Sequence, residues 1–145
     1  MKRIHSVLIV DDNEMDRFLA REMMRRVPGF SHVMEVEDGE EAIALFSDVD
    51  AAVAKFGDAF PPRLIILDIN MPRMNGFEFM HAFAPISATL RPPPVVVVML
   101  TSSTSPEDRV RAEKGGLVAE FAEKPISTAL LTSLLERFGE PSDHD

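Results

Sequence analysis

Leu64-Ile65-Ile66-Leu67-Asp68-Ile69-Asn70-Met71-Pro72, followed by Arg73-Met74-Asn75-Gly76, is the stretch on which the fold turns. An apolar run of strand length ends abruptly in a single carboxylate, and a turn follows. A run without polar alternation reads as a strand covered on both faces, the kind found in parallel sheets. An acid at the end of such a strand lies where open α/β sheets bind ligands, beyond the carboxyl ends of the strands. Pro72 and Asn75-Gly76 make the exit a turn. Taken alone, Asp68 is equally well a turn or cap residue. The other strand ends decide between the two.

Outward from this stretch the chain repeats the same unit. Ser6-Val7-Leu8-Ile9-Val10 is a second apolar run, and it ends in Asp11-Asp12. A helix is expected from about Asn13 to Val27, stopped by Pro28-Gly29, with Ala20, Met23, Met24 and Val27 facing the sheet. Met15 and Phe18 lie off that stripe, either folded over the core edge or exposed as an apolar docking patch. His32 to Glu37 is a weaker strand. The next helix begins near Glu40 and is expected to continue to Phe56, before Gly57 and Pro61-Pro62. After Gly76 a helix is expected over Phe77 to Ala84. A proline-rich loop then leads to Val95–Leu100, which ends in Thr101-Ser102-Ser103.

Ser105-Pro106-Glu107-Asp108 opens a short fourth helix, with a cap, a first-turn proline and acids against the helix dipole. Only Val110 and Ala112 are apolar inside it, so it is weakly anchored. Leu117 to Phe121 is the last strand, followed by Glu123-Lys124-Pro125. The final helix, Ser127 to about Phe138, carries Leu130, Leu131, Leu134, Leu135 and Phe138 on one stripe. Five strands alternating with five helices predict a doubly wound parallel α/β sheet. One domain over residues 1–139 and a polar, disordered tail over 140–145 are expected.

Composition narrows the function. The 145 residues carry 15 basic and 24 acidic side chains, a net charge of −9 that disfavours nucleic acid as a partner. With no cysteine there is no disulfide, thiol catalysis or thiolate metal site. His5, His32, His81 and His144 show no ligand spacing, which disfavours zinc. No apolar stretch is long enough to cross a membrane and no signal peptide is evident, so a cytoplasmic location is expected.

In a parallel sheet all carboxyl ends share one edge. Asp11 and Asp12, Asp68, Thr101 and Lys124 therefore meet in one crevice. Crowded carboxylates do not all ionise cheaply without a cation. An all-oxygen site open to water suits Mg²⁺. A metal, a lysine and a nucleophilic carboxylate together describe phosphoryl transfer to Asp. Asp68, single and central, is the candidate nucleophile, and Asp11-Asp12 the candidate metal ligands. Thr101 offers a hydroxyl to a phosphoryl oxygen.

These residues, together with Met71-Pro72-x-Met74-Asn75-Gly76, Thr101-Ser102 and Lys124-Pro125, resemble the receiver domain of two-component response regulators, over about Val7 to Phe138. The resemblance is to the single-domain, chemotaxis-regulator-like kind. It implies a flavodoxin-like (βα)5 fold with strand order 2-1-3-4-5. It makes Asp68 the phosphoacceptor, and Mg²⁺ the cofactor of Asp11, Asp12, Asp68 and the main-chain carbonyl of Asn70. Thr101 becomes the switch hydroxyl, Lys124 its ion-pair partner with a cis bond to Pro125, and Phe121 the aromatic switch residue. Asn70 and Ser103 would tune phosphoryl lifetime. The first helix, with Met15 and Phe18, would dock the kinase.

The implied partners are a sensor histidine kinase and a downstream protein target or histidine phosphotransfer protein. A homodimer through the face of the fourth helix, last strand and fifth helix is also implied, and neither nucleic acid nor membrane. The protein would be no enzyme beyond its own phosphorylation and dephosphorylation, and would carry no output domain.

Two departures from the pattern stand out. Gly115-Gly116-Leu117-Val118 is one residue longer than usual, and Ser47 to Pro62 is extended, as in regulators paired with phytochrome-type kinases. A phosphorelay intermediate and a phosphate sink use the same chemistry. A haloacid-dehalogenase-type phosphatase would want D-x-D after the first strand, where position 13 is Asn. A binding-only pseudo-receiver would lack an acid or the lysine, and none is missing.

Overall fold

The computed structural model describes residues 2–90, 96–102, 105–114 and 118–141. Strands β1 (Lys2–Val10), β2 (Phe30–Val36), β3 (Leu64–Asp68), β4 (Val96–Thr101) and β5 (Val118–Glu123) form a parallel sheet in the order β2-β1-β3-β4-β5. This is the flavodoxin-like order of the receiver fold. Every residue of β3 and β4 is buried, as their uninterrupted apolar sequences require.

Strand alternation then fills two cores. Leu8, Val10, Ile65, Leu67, Val97 and Met99 pack with Phe46, Phe79 and Phe83 from α2 (Gly39–Ser47) and α4 (Gly76–Ser87). Ile9, Ile66, Val98 and Leu100 pack on the other side. Their partners are Ala20 and Met24 of α1 (Glu14–Arg25) and Leu131 and Leu134 of α6 (Thr128–Phe138).

The long second helix is in fact two, α2 and α3 (Val49–Phe56). Asp48 ends one and caps the next, its carboxylate accepting the Ala51 N–H at 3.1 Å. An aspartate at a helix boundary satisfies donors that a continuous helix would not leave free. The fourth predicted helix is therefore α5 (Pro106–Lys114), and the fifth α6. Helix α4 continues through Pro85 to Ser87, because its last turn buries Ser87 and packs Ile86 on the core.

Part of the expected tail is ordered. Glu140–Pro141 forms β6, antiparallel to Lys2 and Arg3 of β1. Residues 142–145 lie outside the described residues. So do Ser103 and Gly115-Gly116-Leu117. Val97 pairs with Val118 and Val98 with Glu120, which leaves Ala119 as the added residue on β5. Among the described residues no helix is long and apolar enough to cross a membrane.

The turn after β3 is fixed by a close approach. A Cβ on Gly76 would stand 2.8 Å from the Asp68 carbonyl oxygen and 3.0 Å from the Ile69 Cα, both backbone atoms that do not yield. Gly76→Ala is expected to destabilise the fold by about 2–3 kcal/mol, the scale of overpacking in a rigid site. Urea unfolding measures this, and a change within about 0.5 kcal/mol, the scale of an ordinary surface substitution, would show that the turn is not constrained.

Candidate functional site

The carboxyl edge of the sheet gathers the candidate residues as expected. Asp11 follows β1 and Asp68 ends β3, both buried, while Asp12 is exposed. One carboxylate oxygen from each of the three lies within 4.8 Å of the others. Asp11 is held by its own turn. Its side chain accepts the Asn13 N–H at 2.9 Å, and its carbonyl accepts from the Arg17 guanidinium at 2.8 Å. Asp68 accepts the Asn70 N–H at 3.3 Å, and Asn70 itself is exposed beside it.

Behind Asp68 the chain is pinned at several points. Ile69 donates to the Leu100 carbonyl at 3.1 Å and Gly76 to the Ile69 carbonyl at 2.8 Å. Asn75 and Glu78 cap α4 reciprocally. Arg73, at φ 65°, ion-pairs with Asp38, the N-cap of α2. That pair ties the loop after β3 to the neighbouring helix.

Thr101 ends β4 and is fully buried. Its carbonyl accepts the Lys124 N–H at 2.7 Å, which brings the lysine backbone beside the threonine. The Lys124–Pro125 bond is cis. The Lys124 ammonium then reaches three carboxylates: Asp11 Oδ2 at 2.8 Å, Asp16 Oδ2 at 2.8 Å and Asp68 Oδ1 at 3.2 Å. Asp16 is absent from the sequence reading. The only signal for it was an acid in the first turn of α1, a position the helix dipole alone would account for.

These contacts set the ionisation of the site. Burial raises the Asp68 pKa from its ordinary 3.8 to about 6; the Asp11 charge adds to the rise, and Lys124 and the Asn70 N–H pull against it. Burial also opposes the Lys124 charge, but hydrogen bonds to Asp11 and Asp16 outweigh it and keep the ammonium protonated. One ammonium thus serves Asp11, Asp16 and Asp68, with Asp12 beside them. The uncompensated negative charge and all-oxygen donor set fit a hard divalent cation.

The remaining candidates fall into place around this centre. Met15 and Phe18 are 62% and 44% exposed, so neither is folded over the core edge. Phe121 is buried, with the Arg109 guanidinium of α5 5.0 Å from its ring centroid. Of the histidines, His5 and His32 meet Asp58 at the other end of the sheet, a proximity that sequence spacing does not reveal. All three are exposed, and His5 Nε2 lies 3.2 Å from the Asp58 carbonyl oxygen.

Residues 7–136 match the family model for the response regulator receiver domain. The chain belongs to that family. It is 32% identical over 111 residues, 77% of its length, to the nitrate/nitrite response regulator protein NarL of Escherichia coli, and spans 44% of that protein. A two-component response regulator from Cytophaga hutchinsonii superposes with a TM-score of 0.80 at 29% identity, covering 94% of this chain and 98% of the other. The bacteriophytochrome response regulator AtBRR superposes at 0.70 and 26% identity, covering 94% and 93%. The receiver domain here is thus that of a two-component response regulator.

The charged form of Asp68 opposes folding when no metal is present. Its folded pKa lies above the unfolded value, so the native state retains the proton between about 4 and 6. The cost of the charge is absent below about pH 4 and complete above about pH 6, where it reaches up to about 3 kcal/mol. With chelator present, Asp68→Asn should be more stable than wild type at pH 7. The gain should shrink towards zero near pH 4, as read by urea unfolding across pH. A less stable Asn variant at pH 7 would contradict this.

Proposed function

We propose that this receiver domain is a phosphorylation switch in which Asp68 accepts a phosphoryl group from the phosphohistidine of a sensor histidine kinase. The observation that carries this reading is the buried Asp68 carboxylate, with Asp11 and Asp12 within 4.8 Å and the Lys124 ammonium at 3.2 Å. Asp11, Asp12, Asp68 and the Asn70 carbonyl are the proposed Mg²⁺ ligands. When bound, that cation would neutralise the carboxylates and offset the charge of the phosphoryl group.

In the transfer, an Asp68 oxygen forms the bond to phosphorus as the N–P bond of phosphohistidine breaks. The electron pair of that bond stays on the imidazole, which takes up a proton. Lys124 offsets charge on the phosphoryl oxygens, and the Thr101 hydroxyl turns towards them. Asn70, exposed beside Asp68, and Ser103 set the lifetime of the product.

The signal then leaves through α5 and β5. Of α5 only Ala112 is buried, and Arg109 over Phe121 and Arg111 over Phe77 hold the rest. Such an element changes population under a small bias. The Phe121 ring has no hydroxyl, so its part in the switch rests on packing. The α5–β5–α6 face would receive a downstream protein, a histidine phosphotransfer protein or a second copy. A cytoplasmic location and the absence of any turnover on other molecules belong to this proposal. The likeness to a bacteriophytochrome response regulator and the extended segment between α2 and β3 support a phytochrome-type kinase as donor.

Intact-protein mass after incubation with acetyl phosphate and Mg²⁺ tests the switch, and suits a chain with no Trp or Tyr. One phosphoryl group is expected on wild type, and none without Mg²⁺ or in Asp68→Asn. No adduct from acetyl phosphate or from the phosphorylated kinase would favour the binding-only reading. For docking, Phe18→Ala should slow transfer from the kinase roughly 5- to 10-fold, the cost of truncating an interface anchor, and leave transfer from acetyl phosphate unchanged. Equal loss from both donors would remove α1 as the docking surface.

A further inference from the structure

We propose that Asp16 is a positioning residue that holds the Lys124 ammonium in the resting protein and competes for it with the phosphoryl group arriving at Asp68. The inference deepens the reading of Asp68 as phosphoacceptor and rests on it.

A lysine ammonium has three donors and no more. In this structure the ammonium donates to Asp16 at 2.8 Å and ion-pairs with Asp11 at 2.8 Å and Asp68 at 3.2 Å. A phosphoryl oxygen that approaches the ammonium therefore competes with carboxylates already in contact with it, and the one that holds it by a hydrogen bond is Asp16. Asp11 and Asp68 are 7% and 5% exposed at their side chains and belong to the cation cluster with Asp12. Asp16 belongs to no such cluster, and at 33% exposure it can turn to water at the least cost. It is the carboxylate that gives way.

Asp16 is also built to face the lysine. Its N–H donates to the Asn13 side chain at 2.9 Å, which sets it in the first turn of α1 directly after the Asp11-Asp12 pair. The helix dipole favours an acid there whatever its target. A purely structural acid would affect the stability of α1 and leave the phosphoryl chemistry alone. A competitor for Lys124 would change the rate at which Asp68 is phosphorylated.

The test compares wild type, Asp16→Asn, Asp16→Ser and Asp16→Glu for the rate of phosphorylation by acetyl phosphate with Mg²⁺, followed by intact mass. Asn and Ser should speed the reaction roughly three- to ten-fold, the scale of a charged hydrogen bond partly open to water. Glu, which keeps the charge and the reach, should return the rate towards wild type. The ratio of Asn to wild type should persist from low to high ionic strength, because contact at 2.8 Å is not screened as a distant field is. In the unphosphorylated, metal-free protein, Asp16→Asn should shift the Lys124 side-chain NMR signal.

An unmoved Lys124 signal would overturn the inference whatever the phosphorylation result. Wild type phosphorylated on Asp68, with Asn and Ser no faster, would overturn it and leave Asp68 as the acceptor. Wild type that takes no phosphoryl group from acetyl phosphate or the kinase would remove both.

Discussion

Among the described residues, Lys124 carries the one ammonium set against four acids at the carboxyl edge of the sheet. It contacts Asp11, Asp16 and Asp68 directly, and Asp12 completes the acid cluster. This imbalance governs the site. It leaves Asp68 with a pKa of about 6 despite an ion pair, and it makes the edge a place where a divalent cation or a lost proton relieves charge. Burial alone would neutralise such a carboxylate, and a private lysine would fix it as an anion. Sharing the lysine leaves Asp68 between these states.

The fold exists, in functional terms, to hold that imbalance in place. Parallel strands bring three loop beginnings to one edge, and the fully buried β3 and β4 fix the height of Asp68 and Thr101. The Lys124 N–H to the Thr101 carbonyl locks the lysine to the same level. The turn at Gly76 and the Arg73–Asp38 pair hold the loop behind Asp68. Helix α5, with Ala112 as its one buried side chain, is loosely attached beside Phe121. Rigidity under the site and slack next to it are what the proposed switch would require.

Much of this was legible in the sequence because it depends on strand ends. Apolar runs that stop at Asp11, Asp68 and Thr101 announce both the sheet and the crevice, and parallel topology supplies their convergence. What was hidden depends on packing across elements. Asp16 looked like an ordinary first-turn acid, since nothing local shows that Lys124, more than a hundred residues on, reaches it. The break at Asp48 had a local signal in Ser47-Asp48, residue types favoured at caps, but the apolar positions on either side read as one helix. The Ala119 bulge shows only when β5 is laid against β4. Pro85 marked a helix end that burial of the following residues overrides.

The central claim is that the phosphoryl group is carried by the carboxylate that β3 delivers to this edge. Borohydride reduction of the phosphorylated protein converts an acyl phosphate into the corresponding alcohol, and peptide mass spectrometry then locates the changed residue. The account predicts homoserine at position 68 and nowhere else. Homoserine at position 11 or 12, or modification of a residue away from the edge, would contradict it.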